Sequence, residues 1–184
     1  MARNEEICNR IISLDADIIS LQEYWFGSDK ALEFIRSTLY AAGYFAVELQ
    51  RTAHWRERKD GLAVFYKKSR IVVQDYRNVL YHDAGDRVAQ MLLFGINPPY
   101  DISTSTPPSE APCQQFILAN THLLFPHNEY STKIRLREIT KLLGFIESYR
   151  QHELCTSICG RSDVKIPVIV LGPVFCLSLS NPQL

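Results

Sequence analysis

The sequence predicts an α/β fold, a mixed β-sheet faced by helices, and three observations carry that prediction. Apolar stripes of helical period open the chain and recur near its end. Short runs rich in Val, Ile, Tyr and Phe lie between them. Strands alternate with helices early and late, with a run of strands in the middle. The chain has 184 residues, the size of one ordinary domain.

Residues 3–14 read as a helix with Ile7, Ile11 and Leu14 on one face. Residues 17–22 follow as a short apolar strand. Ser28 is placed to cap a second helix, whose apolar positions are Leu32, Ile35 and Leu39, and Gly43 stops it. Strands are expected at 44–49, 61–67, 71–80, 88–96 and 115–121. The segment 51–60 is a basic loop, Lys67-Lys68-Ser69 a turn, and the Pro/Ser/Thr-rich segment 97–112 a surface loop. The longest helical pattern is 130–152, with Leu136, Ile139, Leu142, Leu143 and Ile146 as its buried stripe. After a polar connection, residues 166–171 are almost wholly apolar, as in a strand buried on both faces. No strand precedes the first helix, and the chain stops soon after the last one. Both features read as part of a larger fold, with an apolar sheet face left uncovered and a tendency to aggregate or to need a partner.

Twenty basic residues balance twenty acidic ones, 46% of residues are hydrophobic and 22% are charged. These values exclude a disordered chain, a collagen-like repeat and a highly basic nucleic-acid coat. Any electrostatic attraction must come from a local patch. Five scattered cysteines (Cys8, Cys113, Cys155, Cys159 and Cys176) argue against a disulfide framework and for a reducing compartment. No apolar signal core is visible at the start, and Pro167, Pro173 and Pro182 interrupt the uncharged stretch 166–184. The expectation is a cytoplasmic or nuclear protein with no membrane partner.

Two strands end in groups suited to hydrolytic chemistry. Residues 17–22 deliver Glu23, and residues 115–121 deliver His122. Ligands of sheet-based α/β folds gather beyond the carboxyl ends of strands, so these two side chains are expected to meet in one cleft. A single carboxylate suits Mg²⁺, which keeps waters and binds phosphate. An imidazole binds a phosphoryl oxygen or moves a proton. Taken alone, Glu23 reads more readily as a solvated loop residue and His122 as a hydrogen-bonded turn residue. The loop holding Arg51, Trp55, Arg56, Arg58 and Lys59 mixes cations with a ring, a pattern for gripping phosphates and stacking a base, or else a plain solvated loop. Arg87 is a phosphate fork or an ordinary partner of Asp86. His152-x-x-Cys155-x-x-x-Cys159 matches zinc spacing only loosely and lacks a fourth ligand.

Four motifs occur in order: Asp17-Ile-Ile-Ser-Leu-Gln22-Glu23, Asp60-Gly61-Leu-Ala-Val-Phe-Tyr-Lys67, Asn120-Thr121-His122-Leu123 and Pro167-Val-Ile-Val-Leu-Gly172. Together they resemble the endonuclease/exonuclease/phosphatase superfamily. Gly85-Asp-Arg-Val-Ala-Gln90 and Thr121-His-Leu-Leu-Phe-Pro-His127 are similar to its plant branch that carries an EF-hand elsewhere, related to carbon-catabolite-repression-type deadenylases and nocturnin. The resemblance implies a four-layer α/β sandwich, here partial, and phosphodiester hydrolysis dependent on Mg²⁺, with Mn²⁺ as the alternative. It implies Glu23 as the metal ligand. His122 and Asp60 become the catalytic candidates. Gln22, Arg87, Asn120, Trp55, Arg56 and Arg58 become the substrate-side groups.

The departures shape the functional expectation. The family's first strand, with its Asn, has no counterpart, and neither does its later Ser-Asp-His motif. Gly172 is followed by Pro173-Val174-Phe175, where the family has Asp and, two residues on, Asn. No Asp-x-Asp-x-Asp-Gly loop is present, so no calcium site is expected. Residues 1–172 thus read as a partial domain and 173–184 as an unrelated tail. The expected function is that of a fragment of a Mg²⁺-dependent phosphodiesterase. RNA, poly(A) included, is the expected substrate, and this chain is weakly active or inactive. The alternatives are a non-catalytic isoform that binds RNA or protein, and a phosphatase or DNA nuclease of the same superfamily.

Overall fold

The computed structural model describes residues 2–52, 58–83, 85–96, 114–157 and 166–172. Helix α1 (Ala2–Ser13), strand β1 (Ile18–Trp25) and helix α2 (Asp29–Ala41) come first. Then follow β2 (Tyr44–Gln50), β3 (Asp60–Lys67), β4 (Ile71–Leu80), β5 (Val88–Ile96), β6 (Gln115–Thr121), α3 (Glu129–Ser157) and β7 (Val168–Leu171). The strands form two sheets. One is antiparallel, in the order β1-β3-β2. The other runs β4-β5-β6-β7, antiparallel except for the parallel β6–β7 pair.

Side-chain alternation builds the layers. Ala63 and Phe65 of β3 face α1 and α2, in a core with Cys8, Ile11, Leu32 and Leu39. Their neighbour Val64 faces the second sheet and meets Leu92, Phe94 and Leu118. Ala89, Met91 and Leu93 of β5 point the other way, onto Leu142, Ile146 and Tyr149 of α3. The described residues therefore stack as helices, sheet, sheet and helix, the four layers that the sequence resemblance implied.

Local signals explain the boundaries. The Ser28 hydroxyl accepts from the Ala31 amide at 3.4 Å and starts α2. Gly43, at φ 87°, turns the chain out of it. Asn128 and Ser131 cap α3 reciprocally: the Ser131 amide donates to Asn128 Oδ1 at 2.8 Å and the Asn128 amide to Ser131 Oγ at 2.9 Å. Asp60 and Gly61 open β3 rather than forming a turn. A Cβ at Gly61 would collide with the Leu49 carbonyl oxygen, so glycine is required by the closeness of β2.

Three expectations are corrected. In α1 the buried residues are Cys8 and Ile11, while Ile7 and Leu14 are exposed, because Leu14 lies past the helix end. In α3, Leu136 and Leu143 face solvent, and the inward row runs through Arg135, Glu138, Leu142, Ile146 and Tyr149. The apolar run 166–171 is not doubly buried. Among the described residues β7 is an edge strand, with Ile169 44% and Val170 39% exposed. The runs that are buried throughout belong to β5 and most of β3.

Candidate active site

The inter-sheet core ends in a polar seam. Asn120 of β6 is fully buried, and its Oδ1 accepts from Gln22 Nε2 of β1 at 2.8 Å. Its Nδ2 donates to Gln90 Oε1 of β5 at 3.2 Å and lies 3.3 Å from the Leu21 carbonyl. Gln90 Nε2 in turn donates to the Val47 carbonyl of β2 at 3.0 Å. Four strands from two sheets are thereby held in register at one end of the sandwich. The residues that follow Gln22 and Asn120 project beyond that seam.

Glu23 comes next on β1. The β1–β3 register shifts between Gln22 and Tyr24, and Glu23 adopts φ 56°. A bulge with a left-handed residue re-aims a side chain and stores local strain. Its carboxylate is 72% exposed and lies 3.9 Å from His122 Nε2. The other side of the His122 ring is occupied: Arg87 Nη1 sits 2.7 Å from Nδ1. Asp60 Oδ2 pairs with Arg51 at 2.7 Å and lies 4.0 Å from Arg87. Arg51 and Arg58 both donate to the Gly85 carbonyl, at 3.3 Å and 3.5 Å. The crevice among Arg51, Asp60, Arg87 and His122 has a volume of about 10 Å³, the room of one water, so a larger ligand would sit at its mouth.

The field at the site is cationic. Burial, then the Arg87 charge, pushes His122 down to about 4, so the ring is neutral at neutral pH. Burial, then Arg51, pushes Arg87 down to about 10, which leaves it charged. Behind them lies a carboxylate the sequence reading missed. Glu138 of α3 is fully buried, with Oε2 accepting from the Leu124 amide at 2.7 Å. Burial raises its carboxyl to about 7, and Asp83 adds to the rise. Gln90 was also passed over as a site residue, whereas Arg51 was named among the cations of its loop. A charged residue inside the α3 apolar row is a readable signal for Glu138. Gln90 offered none.

The structure thus brings together Gln22, Glu23, Asp60, Arg87, Asn120 and His122, with Arg58 alongside. Trp55 and Arg56 lie outside the described residues, as does Cys159 of the loose zinc spacing. Among the described residues no group of three His, Cys, Asp or Glu side chains is placed to hold a metal ion. Glu23 offers a single hard oxygen donor at an exposed bulge, which would suit one protein contact to an ion arriving with its phosphate. No helix among the described residues is long and apolar enough to cross a membrane.

The model of the Endonuclease/Exonuclease/phosphatase family matches residues 1–142. The chain belongs to this family. It groups phosphodiesterases and phosphatases that generally use divalent metals. The chain is 33% identical over 151 residues, 82% of its length, to an Arabidopsis thaliana protein described as an uncharacterized calcium-binding protein, and covers 30% of that relative. It is 28% identical over 134 residues to carbon catabolite repressor protein 4 homolog 3 of Arabidopsis thaliana, covering 72% of this chain and 26% of the relative. The chain therefore spans less than a third of these curated relatives. Among solved structures it resembles ANGEL2, a 2′,3′-cyclic phosphatase bound to adenosine-2′,3′-vanadate. That match has a TM-score of 0.67 and 25% identity, and covers 90% of this chain and 42% of ANGEL2. The human nocturnin catalytic domain shares the fold at TM-score 0.65 and 19% identity, with 93% of this chain and 55% of nocturnin covered.

Proposed function

We propose that the chain recognises a phosphodiester of RNA at the mouth of the Glu23–His122–Arg87 cleft, as a deadenylase-type phosphodiesterase whose hydrolytic step is weak. The observation that carries this is the convergence of two distant strand ends, with Glu23 3.9 Å and Arg87 2.7 Å from opposite sides of one imidazole. Arg51, Arg58 and Arg87 supply only donors and positive charge, the complement of a phosphate. Asp60 keeps Arg51 in place and lies within 4.0 Å of Arg87, so this catalytic candidate acts through its arginines. The Gln22–Asn120 bond fixes the two strand ends that present Glu23 and His122. Trp55 and Arg56 belong to the same proposal on the sequence pattern alone, cations interleaved with a ring. The adenosine derivative held by ANGEL2 favours a ribonucleotide over a deoxyribonucleotide, and placement in the cytoplasm or nucleus belongs to the same proposal.

Glu23 would be the protein's oxygen ligand to Mg²⁺ or Mn²⁺. The bound ion supplies charge neutralisation at a phosphoryl oxygen. Among the described residues the water-activating base is the weak point. Asp60 is tied to Arg51, and His122 has Nδ1 occupied. Proline stands at position 173, where the family resemblance places an acid. Loss of one general base costs roughly 10²–10⁴ in rate. The test incubates labelled oligoadenylate with the full chain and Mg²⁺, with Glu23→Ala beside it. Binding with slow or no shortening is expected. Rapid cleavage abolished by Glu23→Ala would overturn the weak-hydrolysis reading, and absence of binding would overturn the site.

A further inference from the structure

We infer that Arg87 fixes the tautomer of His122, leaving the ring's one proton on Nε2, where it faces Glu23 and the cleft. The argument starts from donor chemistry. A guanidinium carries N–H groups and no acceptor. Arg87 Nη1 lies 2.7 Å from His122 Nδ1, so Nδ1 must accept and cannot carry the proton. A histidine whose Nδ1 accepts presents Nε2 as N–H, because the bond made by one ring nitrogen sets the state of the other. The arrangement is the reverse of the familiar one, in which a carboxylate on Nδ1 leaves Nε2 as a base.

Arg87 has little freedom to turn away. Its side chain is 12% exposed, and Asp60 Oδ2 lies 4.0 Å from the same Nη1. Nε2 is on the open side, 3.9 Å from Glu23 Oε1. His122 therefore offers the cleft a directed donor and no lone pair. It can hold a phosphoryl oxygen but cannot take a proton from water. Arg87 is a positioning residue: it acts on a ligand through the imidazole. This deepens the proposed function, which left the role of the ring open between binding and proton transfer.

The test is a multiple-bond ¹H–¹⁵N correlation spectrum of the ¹⁵N-labelled full chain at neutral pH, with His122→Asn to assign the signals. The wild type should show His122 Nδ1 as an unprotonated acceptor and Nε2 as protonated. Arg87→Glu, which places an acceptor beside Nδ1, should put a proton on Nδ1. Arg87→Met should lose the single-tautomer signature and give a mixture. Dispersed backbone amide signals like those of the wild type report that the variants fold. A wild-type spectrum with Nδ1 protonated overturns the inference. So does a folded Arg87→Glu variant that keeps the wild-type pattern. The wild-type spectrum is decisive even if a variant misfolds. It needs no ligand, so loss of RNA binding with the tautomer intact would separate failure of the site reading from failure of this one.

Discussion

Replacing Glu138 by glutamine should stabilise the protein at alkaline pH and leave it unchanged in acid. Glu138 is fully buried, Oε2 accepts from the Leu124 amide at 2.7 Å, and Oε1 is buried with no donor among the described residues. Burial raises the carboxyl from its usual 4.5 to about 7, with Asp83 contributing. The native state thus keeps a proton that the unfolded state has already released between those two values. Stability present below pH 4.5 is lost as pH rises through 7. At 1.36 kcal/mol per pKa unit, the loss is about 3 kcal/mol once pH passes 7. Glutamine keeps the acceptor for the Leu124 amide, carries no charge and turns an N–H toward Asp83. The variant should match the wild type near pH 4 and exceed it by about 2–3 kcal/mol near pH 8.

His122 works in the opposite direction. Its depressed value means that the unfolded state takes up a proton first as pH falls below 6.5, so stability is lost on acidification through 4. The two effects oppose each other over much of the same range, and a flat wild-type profile would be uninformative. The difference between wild type and Glu138→Gln isolates Glu138. Urea midpoints at half-unit steps from pH 4 to pH 8.5 provide it. A difference that is constant with pH, or that favours the wild type in alkali, would refute the reasoning.

Other substitutions probe the frame of the site. Gly61→Ala should cost about 1–3 kcal/mol, read as a lowered Tm, because its Cβ meets Leu49 and Gln50 backbone atoms as well as the Phe26 ring, and the backbone atoms cannot turn aside. Asn120→Ala should cost about 2–4 kcal/mol in urea denaturation, since it strands both the Gln22 amide and the Gln90 carbonyl at the buried seam. Glu23→Gly should raise stability by about 1 kcal/mol, by relieving the left-handed backbone at φ 56°, while weakening Mg²⁺-supported RNA binding measured by filter retention. Equal stability with unchanged binding would mean that the bulge is not a functional device.

Most of the architecture was legible because local signals and tertiary demands agreed. Ser28, Gly43 and the apolar runs of β3 and β5 each name their own structure. What misled was periodicity without a partner. Leu136 and Leu143 look like core in a row of leucines, but the sheet is met one helical step away, by Arg135, Glu138 and Leu142. The run 166–171 reads as doubly buried, yet its strand has a neighbour on one side only among the described residues. At the site, Glu23 and His122 were predictable from strand ends, because sheet geometry gathers such positions. The left-handed bulge at Glu23 was not, since no glycine or asparagine marks it. Nor was the Arg87–His122 bond, which joins positions 35 residues apart across two strand ends.

The central claim is that Glu23, His122 and Arg87 form one anion-recognising cleft. Fluorescence anisotropy should compare a labelled RNA oligomer with the same sequence bearing uncharged methylphosphonate linkages, on wild type and His122→Ala. Tight binding of the charged strand alone, weakened at least tenfold by His122→Ala, is the predicted result. Equal affinity for the two backbones, or indifference to position 122, would contradict the account.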